Sequence, residues 1–344
     1  MKQQGVLRQD DEPGYYLLRQ RFTVGGARRE RLGLFGALKA EEVGRGVLPH
    51  EDTAAGPKED RLALMKATLA NFSPIMMLYR DAGGAVASVV QKTAAKKPDA
   101  EFTVDGESYA LWRIVSAADV HAVHGALESQ PAYIADGHHR YETAVGYGKE
   151  NPKADTVLTC LISFDDPGLL IQPYYRVVHG LSDTKLREMN GLLAKLFKAT
   201  PVKGASPAGL DGEVAHAAAN AVVLGVVRAG EEPALLTAFD PAVPKPDAGA
   251  SPMEQAKAVE ANVLQELLFK PVMGAGFPEY VAYVHDPIEA FRMVREGKGQ
   301  IAFFIKGVPP DVFEAVVGAG IRLPRKSTYF HPKLPSGLVI NPLG

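Results

Sequence analysis

The sequence contains a single cysteine, Cys160, so it can form no intrachain disulfide. Cys160 lies within the apolar stretch 157–162, which predicts a small buried core residue rather than a reactive thiol. No apolar run reaches the ~18 residues needed to cross a bilayer, which excludes a membrane-spanning helix. The opening Met1-Lys2-Gln3-Gln4-Gly5 lacks the pattern of a signal peptide, so the expected location is the cytoplasm. Charge of one sign is also missing. Lys and Arg number 38 against 40 Asp and Glu, for a net charge of −2. That argues against a broad basic face for nucleic acid, and no helix-turn-helix is evident. No repeat or low-complexity tract stands out. What is present is core-forming material: 46% hydrophobic and 23% charged residues over 344 positions predict about two domains.

The chemistry concentrates at Asp136-Gly137-His138-His139-Arg140. Residues 132–135 read as a short buried strand, and a helix is expected over 138–148, ending before Pro152. The polar cluster therefore sits where a strand hands over to a helix. Glycine there can adopt positive φ and lets another group approach the backbone. The first N–H groups of a helix and its dipole favour an anion, and the Arg140 fork suits two phosphate oxygens. These residues point to a phosphate site. Two other readings stay open at this stage: Asp136 as a simple helix cap, or Asp136 with the two histidines as metal ligands, although no third imidazole lies at the usual spacing.

Along the chain, strands are expected over 14–24 and 31–38, turned by Gly25-Gly26. Residues 47–53 read as a strand end or loop. A helix opening at Gly56-Pro57 places Leu62, Met65, Leu69 and Phe72 on one face, and 74–79 reads as a buried strand. Residues 81–108 look like a variable excursion whose lysines, Lys92, Lys96 and Lys97, form a solvated face. A strand over 112–115, a helix over 119–129 and a strong apolar strand over 155–164 complete the first half. Residues 183–219 read as helical, with a linker at 203–212. A hairpin over 221–227 and 234–239 and an amphipathic helix over 253–269, with Val263, Leu264, Leu267 and Leu268 inward, come next. The tail alternates strand, helix, strand, helix over 280–318, which predicts a small α/β unit.

The box Ile134-x-Asp136-Gly137-His138-His139-Arg140-x-x-x-Ala144 resembles the second signature of the ParB/sulfiredoxin superfamily, which includes ParB partition proteins, sulfiredoxin and the free-serine kinases. The helix ending in Pro74-Ile75 resembles the first ParB box. The whole chain also resembles a prokaryotic family without a settled function, sometimes labelled phosphoserine-aminotransferase-like. That resemblance rests on His50-Glu51-x-Thr53 with Lys58-Glu59-Asp60-Arg61-Leu62, on Asn71-x-Ser73-Pro74-Ile75, and on Lys326-Ser327-Thr328-Tyr329-Phe330-x-Pro332-Lys333. Pro173-Tyr174-Tyr175-Arg176 stands where the family has Pro-Thr-His-Arg, so Arg176 is kept and the histidine is not. Relatives carry a further segment before residue 14.

The resemblance implies an α/β (α+β) protein: a ParB/sulfiredoxin-like domain over 1–182 that binds phosphate or nucleotide, and a second α/β domain over 183–344 that contributes the 326–333 loop. It implies a phosphoryl-transfer enzyme, a small-molecule kinase with free serine or a similar hydroxy metabolite as acceptor, and a nucleotide or pyrophosphate with Mg²⁺ as donor. Glu51 matches the glutamate that serves as base in the free-serine kinases, with Asp136 and His138 as further catalytic candidates. Gly137, His138, His139, Arg140, Arg176, Lys326, Ser327, Thr328 and Lys333 are the expected phosphate or nucleotide ligands, and His50, Thr53 and Tyr329 the substrate contacts. No metal ligand set is assigned. The alternatives are a ParB-like nucleotide switch and a ligand-binding protein without catalysis. A single kinase site would require Glu51, the 136–140 turn and the 326–333 loop to converge, with Glu51 near the acceptor hydroxyl.

Overall fold

The computed structural model describes residues 7–52 and 56–343. The chain forms two compact units. Unit 1 comprises residues 1–49, 53–169 and 332–344; unit 2 comprises 50–52 and 170–331. The division falls at 169/170 instead of 182/183, and the last residues return to unit 1.

In unit 1, β1 (Tyr15–Val24) and β2 (Ala27–Lys39) form the expected hairpin, with Gly25 and Gly26 both at positive φ. They are followed by β3 (Val47–Pro49), α1 (Gly56–Thr68), β4 (Ala70–Asn71), β5 (Ile75–Tyr79), α2 (Ala85–Ala94), β6 (Ala100–Val104), β7 (Glu107–Ile114), α3 (Ala117–Leu127), β8 (Ala132–Asp136), α4 (His138–Glu150) and β9 (Thr156–Ser163). Eight of the strands make one mixed sheet in the order β3-β8-β5-β9-β2-β1-β7-β6. The pairs β3/β8 and β5/β9 are parallel and the others antiparallel.

Period-two alternation gives this sheet two apolar faces. Leu17, Leu34 and Trp112 face a core built with Met65, Val86, Val123, Tyr141 and Ala144 of the helices. Their neighbours Leu18, Phe35 and Leu111 face the other way, with Cys160, against Leu334, Leu338 and Val339 of the tail. Cys160 is fully buried, and burial pushes its thiol up to about 12, which makes it a core residue. The stretch 81–108 is regular structure, not a loose excursion, and Lys92 pairs with Asp119 at 2.9 Å. Helix α1 stops at Thr68. Leu69 takes φ 47° and is half exposed, so the predicted apolar face of that helix ends at Met65.

Unit 2 contains β10 (Leu170–Gln172), β11 (Tyr175–Val178), α5 (Asp183–Leu196), β12 (Phe197–Pro201), α6 (Pro207–Ala215), β13 (Val223–Arg228), β14 (Ala234–Ala238), α7 (Pro252–Ala258), α8 (Glu260–Leu264), α9 (Lys270–Met273), β15 (Val281–Val284), α10 (Pro287–Arg295), β16 (Ile301–Phe304), α11 (Pro310–Gly318) and β17 (Tyr329–His331). Its main sheet is antiparallel, in the order β12-β14-β13-β16-β11-β15. β10 and β17 pair separately.

The tail strands β15 and β16 flank β11 in this sheet, so the tail is not a separate small unit. The expected linker is helix α6. Ser206 caps it by accepting from the Gly209 N–H, and Leu210 and Val214 are buried on one sheet face with Phe291 and Phe304. The expected long helix over 253–269 is three pieces. The backbone leaves helical geometry at Val259 and closes as a π-helical turn over Gln265–Phe269. Val263, Leu264 and Leu268 are buried, and Leu267 only partly. Across both units the architecture is mixed α/β, with a large central sheet in unit 1 and helices at its periphery. No helix among the described residues is long and apolar enough to cross a membrane.

Candidate functional site

In unit 1 the strand-to-helix handover occurs as the residue types predict, with one difference in its cap. Gly137, at φ 103°, is the residue before the first turn of α4, and no side chain caps that helix. Asp136 has another role. One of its carboxylate oxygens accepts from Arg140 Nη2 at 2.8 Å and the other from Lys333 Nζ. Arg140 also donates from Nη1 to the Pro74 carbonyl at 2.8 Å. A Cβ on Gly137 would stand 2.9 Å from Arg140 Nη2 and 3.1 Å from Ile75 Cδ1. The glycine thus supplies both the left-handed backbone and the space that the guanidinium occupies.

Around this turn lies a cavity of about 250 Å³ lined by Arg61, Ser73, Asp136, Arg140, Lys333 and Ser336, among others. It brings together three cations and one acid. Burial holds the Arg140 guanidinium below its ordinary range, Asp136 offsets this, and nearby Arg61 adds like-charge repulsion. Arg61 also pairs with exposed Asp60 at 3.8 Å, and an added anion would relieve the repulsion between the cations. The first-turn N–H groups of α4 have no intrahelical acceptors, and its dipole places positive potential at the same end. His138 is buried, and His139 is half-buried on the same turn.

Of the remaining expected site residues, those described lie in unit 2, where they fix a loop. Glu51 accepts the Lys326 backbone N–H on Oε1 at 3.0 Å. His50, 1% exposed, shares a 2.8 Å hydrogen bond with the Thr328 hydroxyl. Ser327 donates to the Pro324 carbonyl. Arg176 is buried. It donates to the carbonyls of Tyr174 and Lys326, and its guanidinium lies over the Tyr283 ring. Burial lowers its pKa to about 10, opposed by Tyr283 and Glu51. Lys326 takes φ 61°, unusual for a residue with a Cβ, and its ammonium sits 4.9 Å from the Tyr174 ring centroid. Tyr329 stacks on His285 and meets Tyr174 edge-on. Thr53 lies outside the described residues.

The expected site residues therefore form two clusters. Asp136, Gly137, His138, His139, Arg140 and Lys333 are in unit 1; His50, Glu51, Arg176, Lys326, Ser327, Thr328 and Tyr329 are in unit 2. Three residues that line the unit 1 cavity, Arg61, Ser73 and Ser336, were not singled out from sequence as ligands. Arg61 and Ser73 belong to the motif stretches 58–62 and 71–75, so a signal for them was present. Ser336 carried none. No group of three or more His, Cys, Asp or Glu side chains that could hold a metal ion occurs among the described residues.

The chain belongs to the DUF1015 family, described as proteins of unknown function, whose profile matches residues 1–260. No curated protein matches it. Among solved structures it is similar to a conserved hypothetical protein from Pyrococcus furiosus, at 12% identity over 88% of this chain and 93% of that one, with a TM-score of 0.42. It is also similar to a free serine kinase in complex with AMP, at 13% identity over 86% of each chain and a TM-score of 0.42. A third is SbnI with C-terminal truncation from Staphylococcus aureus, at 10% identity over 87% of this chain and 84% of that one, with a TM-score of 0.42.

Proposed function

We propose that unit 1 binds a phosphorylated small molecule in the cavity formed by Arg61, Arg140, Lys333 and the first turn of α4, and that the protein is a phosphoryl-transfer enzyme using a nucleotide or pyrophosphate donor. The observation that carries this reading is the charge of the cavity, whose lining holds three cations and one acid, Asp136, with Arg61 also paired to Asp60 at 3.8 Å. Asp136 holds Arg140 and Lys333 in place until a phosphate competes for them. Phosphoryl transfer needs chiefly this, a cradle that positions and neutralises the transferred group. His138 and His139, on the first turn of α4, would supply donors or a proton only to a part of the ligand beyond the cavity lining, which includes neither. A Mg²⁺ brought by the donor would coordinate phosphate oxygens. Asp136 is the one carboxylate among the described residues of the lining, too few oxygen ligands to hold a resident metal without the donor's phosphates.

Calorimetry with ATP, ADP and pyrophosphate tests the binding half. Arg140→Ala is expected to weaken affinity by roughly tenfold or more, the worth of a charge-assisted contact of ~1.5–3 kcal/mol, with the fold kept. Unchanged affinity would remove the phosphate reading. Phosphorus NMR with the same donors and a pool of hydroxyl metabolites tests turnover.

One observation favours binding without turnover. Glu51, the proposed base, already accepts from the Lys326 backbone. Glu51→Gln keeps an acceptor for that N–H and removes the basic carboxylate. If Glu51 is the base, the variant binds donor normally and loses turnover. If turnover is unaffected, Glu51 is a loop anchor only.

A further inference from the structure

The cation cavity is continuous in its lining with a second one. A cavity of about 60 Å³ shares Arg61, Ser73 and Arg140 with it and is otherwise walled chiefly by Leu64, Met65, Phe72, Ile75 and Val157. It exceeds the ~10–15 Å³ that one water needs. Arg61 and Arg140 are shared with the phosphate site, and most of the other polar groups are already engaged. The Asn71 amide oxygen accepts from the Leu158 N–H at 3.0 Å and from Asn341 Nδ2 at 3.2 Å. Ser73 is paired with Ser336 at 2.7 Å, and Arg140 directs both terminal nitrogens to Pro74 and Asp136. A guest there meets carbon surface at the foot of a phosphate site.

We infer that the ligand is an organic phosphate whose phosphate-bearing carbon carries a short aliphatic group, and that this group fills the second cavity. The inference rests on the anion reading above and narrows it. A nucleobase edge, or the ammonium and carboxylate of an amino acid, would lose water in this mostly apolar cavity, where the charged groups, Arg61 and Arg140, are committed to the phosphate, at a cost an aliphatic group does not incur. Each buried CH₂ is expected to tighten binding about fourfold.

The test is calorimetric titration of the full chain with inorganic phosphate, n-propyl phosphate and phosphoserine. Propyl phosphate should bind at least tenfold tighter than inorganic phosphate, with phosphoserine showing no such gain. Met65→Gln places an amide in the cavity and should erase the propyl advantage while inorganic phosphate still binds. Leu64→Ser, at a half-exposed position, should reduce it. If none of the three ligands binds, the anion reading itself fails. If they bind equally, or phosphoserine binds tightest, the aliphatic inference is overturned and the anion site stands. A propyl preference indifferent to both variants also overturns it, since the group would then be held elsewhere.

Discussion

Gly137 combines two requirements that a larger residue meets badly. Its φ of 103° lies where L residues are rarely found, and its missing Cβ leaves room for the Arg140 guanidinium and the Ile75 methyl. Gly137→Ala should therefore cost ~1–3 kcal/mol of stability, the usual scale of backbone strain at such a position. It should also shift Arg140 off Asp136. Gly137→Val should cost more, because the branched side chain meets the same two groups with more atoms. Chemical denaturation of both variants, beside phosphate titration, checks the order; Ala and Val variants as stable as the parent would contradict it. The glycine was legible in sequence because Asp-Gly between an apolar stretch and a helix leaves few other conformations. The double duty of Asp136 was not, because its second cation, Lys333, lies nearly two hundred residues away and no local pattern joins them.

Element α6 shows where composition misleads. Lys203, Gly204, Ser206, Pro207, Gly209 and Gly212 read as a break, yet two of the same signals build a helix. Ser206 caps it, Pro207 opens it, and Leu210 and Val214 fall one turn apart on its buried side. The partner strand is shaped to receive it. A Cβ on Gly225 would lie 2.9 Å from Val214 Cγ2 and 3.1 Å from Leu210 Cγ. Such complementarity across strands is invisible to periodicity, whereas β5, β8 and β9, continuous apolar runs, were read within a residue or two of their ends. Helix α6 is also tied down by Asp211, whose Oδ1 accepts the Tyr175 hydroxyl at 2.7 Å. Burial raises the Asp211 carboxyl above its ordinary 3.8, and the Tyr175 bond only partly offsets this. The unfolded chain then releases this proton at lower pH than the folded one. The group's contribution to stability is full below 3.8 and is lost as pH rises through the folded value. Asp211→Asn retains an acceptor for Tyr175 and carries no charge. It should be more stable than the parent at pH 7, should match it in acid, and should flatten the pH dependence just above 3.8. Urea midpoints across pH 3–7 measure this; a variant less stable at pH 7 would show that the charge itself supports the helix.

At the scale of the whole molecule, the sequence divided the chain once, while the structure shows it leaving unit 1 briefly at residues 50–52 and again at 170, then returning at 332. Of the returning segment only Pro332 and Lys333 were legible, as the end of the 326–333 motif, because what fixes the rest is burial contributed by distant strands. Arg31, 1% exposed, donates from Nη2 to Gln20 Oε1 and to the Pro332 carbonyl, both at 2.6 Å, and Gln20 donates to the Lys333 carbonyl at 3.2 Å. Leu334, Leu338 and Val339 cover the sheet face of Leu18 and Phe35. Asn341 and Pro342 pair with Asn71 and Ala70, and Leu343 is buried. Strands β1 and β2 thereby hold the backbone that carries Lys333 to Asp136. A chain ending at His331 should lose several kcal/mol of unit 1 stability: ~1.5–3 for each side chain that leaves a buried site, and ~1–3 for a buried guanidinium deprived of an acceptor. Its phosphate affinity should fall with Lys333. Arg31→Met separates the two effects. It keeps the tail and its apolar contacts but releases the Pro332 carbonyl, so phosphate binding should weaken more than the fold does. In a Lys333→Ala background Arg31→Met should then add little further loss of affinity, because both changes act through one ammonium group. Hydrogen exchange of β1 and β2 reports the stability of the sheet, and calorimetry reports the affinity. Fully additive losses in the double variant would mean that Arg31 supports the sheet alone and does not position Lys333.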